Sequence, residues 1–235
     1  MNQTALVVIK SMGIGDLCIL IANIHAISRS IGGPVVVLAQ KNTHASAILR
    51  HDPHIKKVID LDKKSFIEEA KKKYNITDNT KNYICGISAS GPTKRWNINN
   101  YIKLFKELNK KHPSKFFLAG GVNDENLIKQ VLDSSIGNDC ISFSKMKIAE
   151  TIPIIASCQI YIGSDTGWGH IASGLGLKSL FLFMDSPPLA YGVYSKNISI
   201  IVPQGESIES CGHNTRGKDK ISYDEVLTKT LELIN

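Results

Sequence analysis

Asp16, Lys94, Glu125, Asp165 and His170 are the side chains best placed for chemistry, because each stands at a polar or glycine-containing turn between an apolar run and a helical one. The fullest of these turns lies within Gln159 to Gly176. An apolar run, Ile160 to Ile162, gives way to Gly163-Ser164-Asp165-Thr166-Gly167. After it, Trp168, Ile171, Ala172 and Leu175 recur at helical steps. A strand, a turn and a helix in that order present free N–H groups and a positive dipole end to an anion. Asp165 and Thr166 can cap this helix, with His170 one turn in on the side of Thr166; equally, the two do no more than cap and His170 only packs. The stretch Ser88 to Trp96 puts Ser88 and Ser90 ahead of Lys94 and Arg95. Such a loop can hold a diphosphate, with hydroxyls and amides for hydrogen bonds and one cation for charge; alternatively, one of the two cations is simply solvated. In Gly120 to Glu125 the glycines, Gly121 among them, let backbone approach a ligand. Glu125 there either binds ribose hydroxyls or is an acid favoured by the helix dipole. In Ser11 to Asp16, the pair Gly13 and Gly15 lacks the third glycine of a dinucleotide fingerprint. What that turn offers is Asp16, a general base or an N-terminal cap. Neither HxxxH, HExxH nor paired-cysteine spacing occurs, so no protein-held metal is expected.

The elements that must position these groups read as two α/β series. In the first, strands are expected at Ala5 to Ile9, Pro34 to Ala39 and Lys57 to Leu61, the first two as continuous apolar, buried runs. Helices follow the strands: one carrying Leu17, Leu20, Ile21, Ile24 and Ile27 on one face, a short one at His44 to Arg50, and a charged one at Ser65 to Lys73. Three such units predict a parallel sheet. The polar stretch Asn75 to Asn82 reads as a linker. The second series has strands at Tyr83 to Ile87, Lys115 to Ala119, Cys140 to Phe143, Ile160 to Ile162, Lys178 to Phe183 and Asn197 to Val202. Its helices are an amphipathic one at Asn99 to Lys111, then Asp124 to Ser134, Lys147 to Ser157 with Pro153 kinking it or marking its start, the helix after Gly167, and a closing one at Ser222 to Ile234. The expected domains are therefore residues 1–78 and 79–235, both parallel-sheet α/β.

Across 235 residues the net charge is +7, which suits an anionic partner: a phosphorylated substrate, a membrane surface or nucleic acid. Solubility alone would also account for it, since the lysines are widely spread. There is no RNP-like or helix-turn-helix pattern, and few aromatics are interleaved with the cations, so nucleic acid is not expected. The five cysteines are odd in number, scattered and free of CxxC pairs, which argues for a reducing compartment. With no signal-peptide pattern and no apolar run of about 20 residues, the expected location is cytoplasmic, with peripheral contact at the inner membrane face open.

Together these pieces resemble glycosyltransferase family 9, the lipopolysaccharide heptosyltransferases and their relatives. The resemblance rests on Gly15-Asp16, on Pro92-Thr93-Lys94-Arg95-Trp96, on Gly120-Gly121 with Glu125, on Ser164-Asp165-Thr166-Gly167 with His170, and on the closing Ile221 to Val226. It covers Tyr83 to the C-terminus well and the first 60 residues more loosely, with a shortened N-terminal half. It implies a GT-B-like fold, two Rossmann-like parallel-sheet domains facing a cleft, the N-terminal one on the acceptor side and reduced. It further implies inverting, metal-independent transfer of a sugar from a nucleotide-sugar donor, ADP-heptose in the best-known members, to a lipid-linked or glycan acceptor, with no cofactor beyond that donor. By position, Asp16 would be the base, Ser90 and Lys94 would meet the diphosphate with Lys94 offsetting leaving-group charge, and Glu125 would face the nucleoside. Asp165, Thr166, Gly167 and His170 would line the donor site beside Ser88 and Gly121, with the Thr166 and Gly167 amides on phosphate. Trp168 stands where the family usually has a smaller apolar residue; it repacks the pocket, stacks on a ligand or is a core aromatic. The alternative function is a non-catalytic relative that only binds the nucleotide sugar. An NAD enzyme is disfavoured by the missing glycine and by the lack of an acidic ribose reader after the second strand.

Overall fold

The computed structural model of the chain describes residues 5–9, 14–61 and 63–234. It divides into two compact units, Met1–Glu69 and Ala70–Asn235. The smaller contains β1 (Leu6–Ile9), α1 (Ile14–Ile31), β2 (Val35–Gln40), α2 (Ala45–Ile48), β3 (Ile55–Leu61) and most of α3 (Lys63–Lys73). Its three strands pair in parallel in the order β1-β2-β3. Leu17 and Ile24, two helical turns apart, bury the inner face of α1 against Val35, Val37 and Ala39. These three alternate along β2 with the half-buried Val36 and Leu38. The first two strands were expected to be buried runs, but only one sheet face is fully covered: Leu6 and Val8 are 57% and 58% exposed. An unbroken apolar run specifies extended chain and says nothing of whether both pleat faces find a cover. α1 is tied to the turn before β3 by His25 Nε2 at 2.6 Å from Asp52 Oδ2, and by His54 Nδ1 at 3.0 Å from Ser28 Oγ.

The larger unit adds β4 (Lys81–Gly86), α4 (Ile98–Lys111), β5 (Ser114–Leu118), α5 (Glu125–Leu132), β6 (Cys140–Ser142), α6 (Ile148–Ala156), β7 (Ile160–Ser164), α7 (Gly167–Gly174), β8 (Lys178–Leu182), α8 (Pro188–Tyr191), β9 (Ile198–Ile201) and α9 (Tyr223–Ile234). All six strands are parallel, in the order β6-β5-β4-β7-β8-β9. This is a doubly wound sheet whose order reverses between β4 and β7, and ligands in such sheets bind beyond the carboxyl ends of the strands at that reversal. Alternation sorts the core into two layers. Tyr83, Cys85, Phe116 and Leu118 meet Tyr101, Leu104, Phe105 and Val226 on one face. Ile84, Phe117, Tyr161 and Phe181 meet Ile154, Ile155 and Ala172 on the other. Pro153 lies inside α6, not at its start. The polar stretch Asn75 to Asn82 is bonded to the larger unit. Lys115 Nζ donates to the carbonyls of Tyr74 and Asn75, and the Asn82 amide donates to Gln159 Oε1 at 2.6 Å. No helix among the described residues is long and apolar enough to cross a membrane.

Candidate functional site

The site begins where β7 runs into α7. Thr166 is the N-cap by backbone conformation, yet its side chain makes no capping bond. Its Oγ1 lies 3.2 Å from the buried Tyr161 hydroxyl, which itself donates to the Ser164 carbonyl at 2.6 Å. A phenol has one proton, so Thr166 donates to Tyr161. Asp165 is also diverted. Its Oδ2 accepts from Ser186 Oγ at 2.9 Å, and its Oδ1 lies 3.1 Å from His170 Nε2. The other His170 nitrogen, Nδ1, is 2.7 Å from the Tyr194 hydroxyl. The idea that Asp165 and Thr166 serve as caps is thus corrected: tertiary partners outcompete the local amides. Gly169 and His170 return their amides to the Thr166 carbonyl, while among the described residues those of Gly167 and Trp168 have no partner. The first turn of α7 therefore keeps free donors at the positive end of the helix dipole.

The loop after β4 supplies the second wall, and its two cations divide their work. Arg95 is structural: Nε and Nη2 hold the Ala89 carbonyl at 3.3 and 3.1 Å, and Nη2 also meets Asp124 Oδ1 at 3.2 Å. Trp96 anchors the loop's end, 2% exposed and donating from Nε1 to the Ile221 carbonyl. Thr93 anchors its middle, donating to Asp185 Oδ2 at 2.6 Å, while Asp185 Oδ1 accepts from the Arg216 amide at 2.9 Å. The Lys94 ammonium is left without a hydrogen bond or ion pair among the described residues, and its charge is felt by Asp185.

Burial alone would push the Asp185 carboxyl up. The Thr93 hydroxyl, the Arg216 and Asn214 amides and the Lys94 charge more than offset this and hold it below the usual carboxylate value. A depressed carboxylate adds stability above its unfolded value, about pH 3.9, and loses it as pH falls through the folded one. Asp185→Asn is therefore expected to destabilise the protein by about 1–2 kcal/mol at pH 7. In urea titrations that difference should hold from pH 7 to 5 and narrow below about pH 4; a gap independent of pH would mean that the ionised form is not what docks the loop.

The third wall is the turn after β5. Asp124 Oδ2 accepts from the Gly121 amide at 3.0 Å, and its Oδ1 meets Arg95, so the two loops are locked to each other. The three turns border an open cavity of about 610 Å³. Ser88, Ser90, Gly121, Asp165, Thr166, Gly167 and His170, all singled out in the sequence, line it. Lys94 and Glu125 do not; Asp124, the carboxylate next to Glu125, does, and Glu125 itself is exposed. Ile148, Trp168 and Tyr191 complete an apolar side. Trp168 both lines the cavity and packs against Phe143, ring centroids 5.6 Å apart. Asp16 belongs to the smaller unit, in the first turn of α1. Its side chain and the turn at 10–13 lie outside the described residues. Among the described residues no group of three or more His, Cys, Asp or Glu side chains could hold a metal ion.

Sequence reasoning missed Asp185, Ser186, Tyr191 and Tyr194. They sit in or beside the irregular segment between β8 and β9, where no period marks a side chain as inward. A cluster of tyrosines beside prolines was the only available signal.

Residues 19–221 match the description Glycosyltransferase family 9 (heptosyltransferase). Lipopolysaccharide heptosyltransferase 1 of Campylobacter coli is 28% identical over 155 residues, 64% of this chain and 44% of that protein. The chain thus spans less than half the length of the curated relative it matches. Among solved structures, the E. coli ADP-heptose lipopolysaccharide heptosyltransferase II superposes with a TM-score of 0.63 at 13% identity, covering 97% of this chain and 98% of that one. A family 9 glycosyl transferase from Veillonella parvula DSM 2008 gives 0.63 at 16%, covering 91% and 78%. The E. coli heptosyltransferase WaaC with ADP gives 0.58 at 13%, covering 98% and 100%. At these identities the likeness establishes the fold, which is α/β and GT-B-like.

Proposed function

The chain belongs to glycosyltransferase family 9, and from that premise we propose that it moves a sugar, heptose from ADP-heptose in first place, onto a lipopolysaccharide-type or other glycan acceptor. The observation that carries this reading is the uncapped first turn of α7, opening on a cavity at the strand-order reversal. Free amides there suit a diphosphate, and Ser88 and Ser90 add hydroxyls from the facing loop. Lys94, on the same loop, supplies charge for the phosphate that leaves. Asp124, which lines the cavity where Glu125 does not, offers a carboxylate to ribose hydroxyls. Asp165 and His170 line the sugar end. In the reaction, the acceptor oxygen attacks the anomeric carbon from the face opposite the nucleotide. The anomeric carbon–oxygen bond breaks with inversion, ADP departs with the bonding pair, and Asp16 takes the acceptor's hydroxyl proton. No metal is needed where amides and Lys94 meet the charge. The enzyme works on the cytoplasmic side, in peripheral contact with the inner membrane face that carries its acceptor.

A thermal-shift panel with ADP, UDP, GDP, CMP and NAD tests the donor. ADP alone should raise the melting temperature, since a ligand that binds only the native state stabilises it. A rise with UDP or GDP instead would keep the family and change the donor. A flat panel would sink the reading. A second reading is binding without transfer; ADP binding without turnover of any nucleotide sugar would establish it.

A further inference from the structure

We propose that Tyr194 and Ser186 are positioning residues that hold Asp165 off the first turn of α7 and so keep that helix terminus open to an anionic ligand. The proposal rests on the nucleotide-sugar reading only for the identity of that anion. Short oxygen-bearing side chains cap helix N-termini wherever they are at hand, and α7 has two of them that do not. The Thr166 hydroxyl is turned inward to Tyr161. Asp165 stands one residue ahead of the N-cap and two ahead of the unpartnered Gly167 amide in the chain, yet both its oxygens are engaged elsewhere.

The proton positions in this chain follow from what each group can do. A carboxylate only accepts, so Ser186 Oγ and His170 Nε2 donate to Asp165. Neutral imidazole then has an acceptor at Nδ1, and the Tyr194 hydroxyl, 2.7 Å away, donates to it. Both ring nitrogens have protein partners, so His170 acts on the site through Asp165. Ser186 is 1% exposed and fixed beyond β8, whereas Tyr194 is 57% exposed on the segment that also gives Tyr191 to the cavity wall. Take away the Tyr194 hydroxyl and the imidazole is free to turn. Asp165 then keeps one restraint of two, and the α7 amides become its best remaining donors. A carboxylate on those amides competes with phosphate for the same N–H groups and repels it.

Tyr194→Phe keeps the ring and removes the hydroxyl. In ¹⁵N–¹H spectra of the ligand-free variant, the Gly167 and Trp168 amide protons are expected to move downfield and exchange more slowly, and the His170 Nδ1 resonance to shift. By calorimetry, ADP and pyrophosphate should bind about three- to tenfold more weakly. In an Asp165→Ala background the same Tyr194→Phe step should leave affinity unchanged, because the carboxylate that competes is gone. Ser186→Ala should give the same amide signature without touching the tyrosine segment. Unmoved amides in both variants overturn the proposal. So does an affinity loss that persists undiminished without Asp165, which would make Tyr194 a direct ligand contact or a support of its loop. Moved amides in a protein that binds neither ADP nor pyrophosphate would leave the restraint standing and remove the donor reading instead.

Discussion

Gly163→Ala is expected to destabilise the larger unit by about 3 kcal/mol or more, the upper range for overpacking a rigid core. Gly163 in β7 pairs with Gly86 in β4 at the strand-order reversal. A Cβ on Gly163 would stand 2.5 Å from the backbone N and Cα of Gly86. No side chain can yield there, so one of two central strands must shift. A Cβ on Gly86 would in turn overlap the Tyr161 hydroxyl. Gly86 thus leaves the space in which Tyr161 reaches the Ser164 carbonyl and draws the Thr166 hydroxyl inward, and Gly163 lets the two strands approach. Urea denaturation followed by tryptophan fluorescence reads the effect, with Gly33→Ala as the comparison, where a Cβ meets nothing within 4 Å. A loss below about 1 kcal/mol would show that β4 and β7 can part without cost.

Asp16→Ala is expected to cut sugar transfer by about 10²–10⁴-fold, the usual contribution of a general base. The ADP-induced thermal shift should stay as in the parent, because every residue lining the cavity lies within 88–191. Asp16→Asn separates the two roles open to a carboxylate in the first turn of α1. Asp16 stands inside α1, two residues past its start, so its structural role is that of a first-turn acid on the helix dipole and not of an N-cap. Asparagine keeps the size and a hydrogen-bonding oxygen there but takes no proton. If Asp16 is the base, both variants lose turnover alike; recovery of transfer in the asparagine variant would reduce it to a structural role.

What could be read in the chain beforehand follows from the range of the forces involved. Strands and helices of the larger unit were legible because each buried strand is a short apolar run and each helix carries its own stripe, as Tyr101, Leu104, Phe105 and Leu108 do in α4. The turns holding Ser88, Gly121 and Thr166 were legible because glycine and hydroxyl residues mark a change of period. What failed was each inference that took a residue's nearest neighbours as its partners. Asp165 and Thr166 looked like caps because the amides they could cap are adjacent, yet Tyr161, Ser186 and, through His170, Tyr194 hold them instead. Glu125 and Asp124 differ by one position, and helix phase decides which one faces the cavity. Arg95 and Lys94 are equal in charge; only the fold commits the Arg95 guanidinium to Ala89 and Asp124 and leaves the Lys94 ammonium unbonded among the described residues.

The order of the six strands also has a consequence for how the protein is made. β4 gains its first neighbour soon, since Tyr83 pairs with Phe116, but its other edge waits for Ile160. At ribosomal speed, emergence of the chain from β5 to β7 takes several seconds, roughly 2–10 s. Throughout that interval a nascent Tyr83-Ile84-Cys85 edge, apolar on both faces, stands unpaired at the centre of the future sheet. Such an edge is a template for the wrong chain. Soluble yield should therefore respond to translation rate and to chaperones that shield nascent strands more than to the thermodynamic stability of the finished domain.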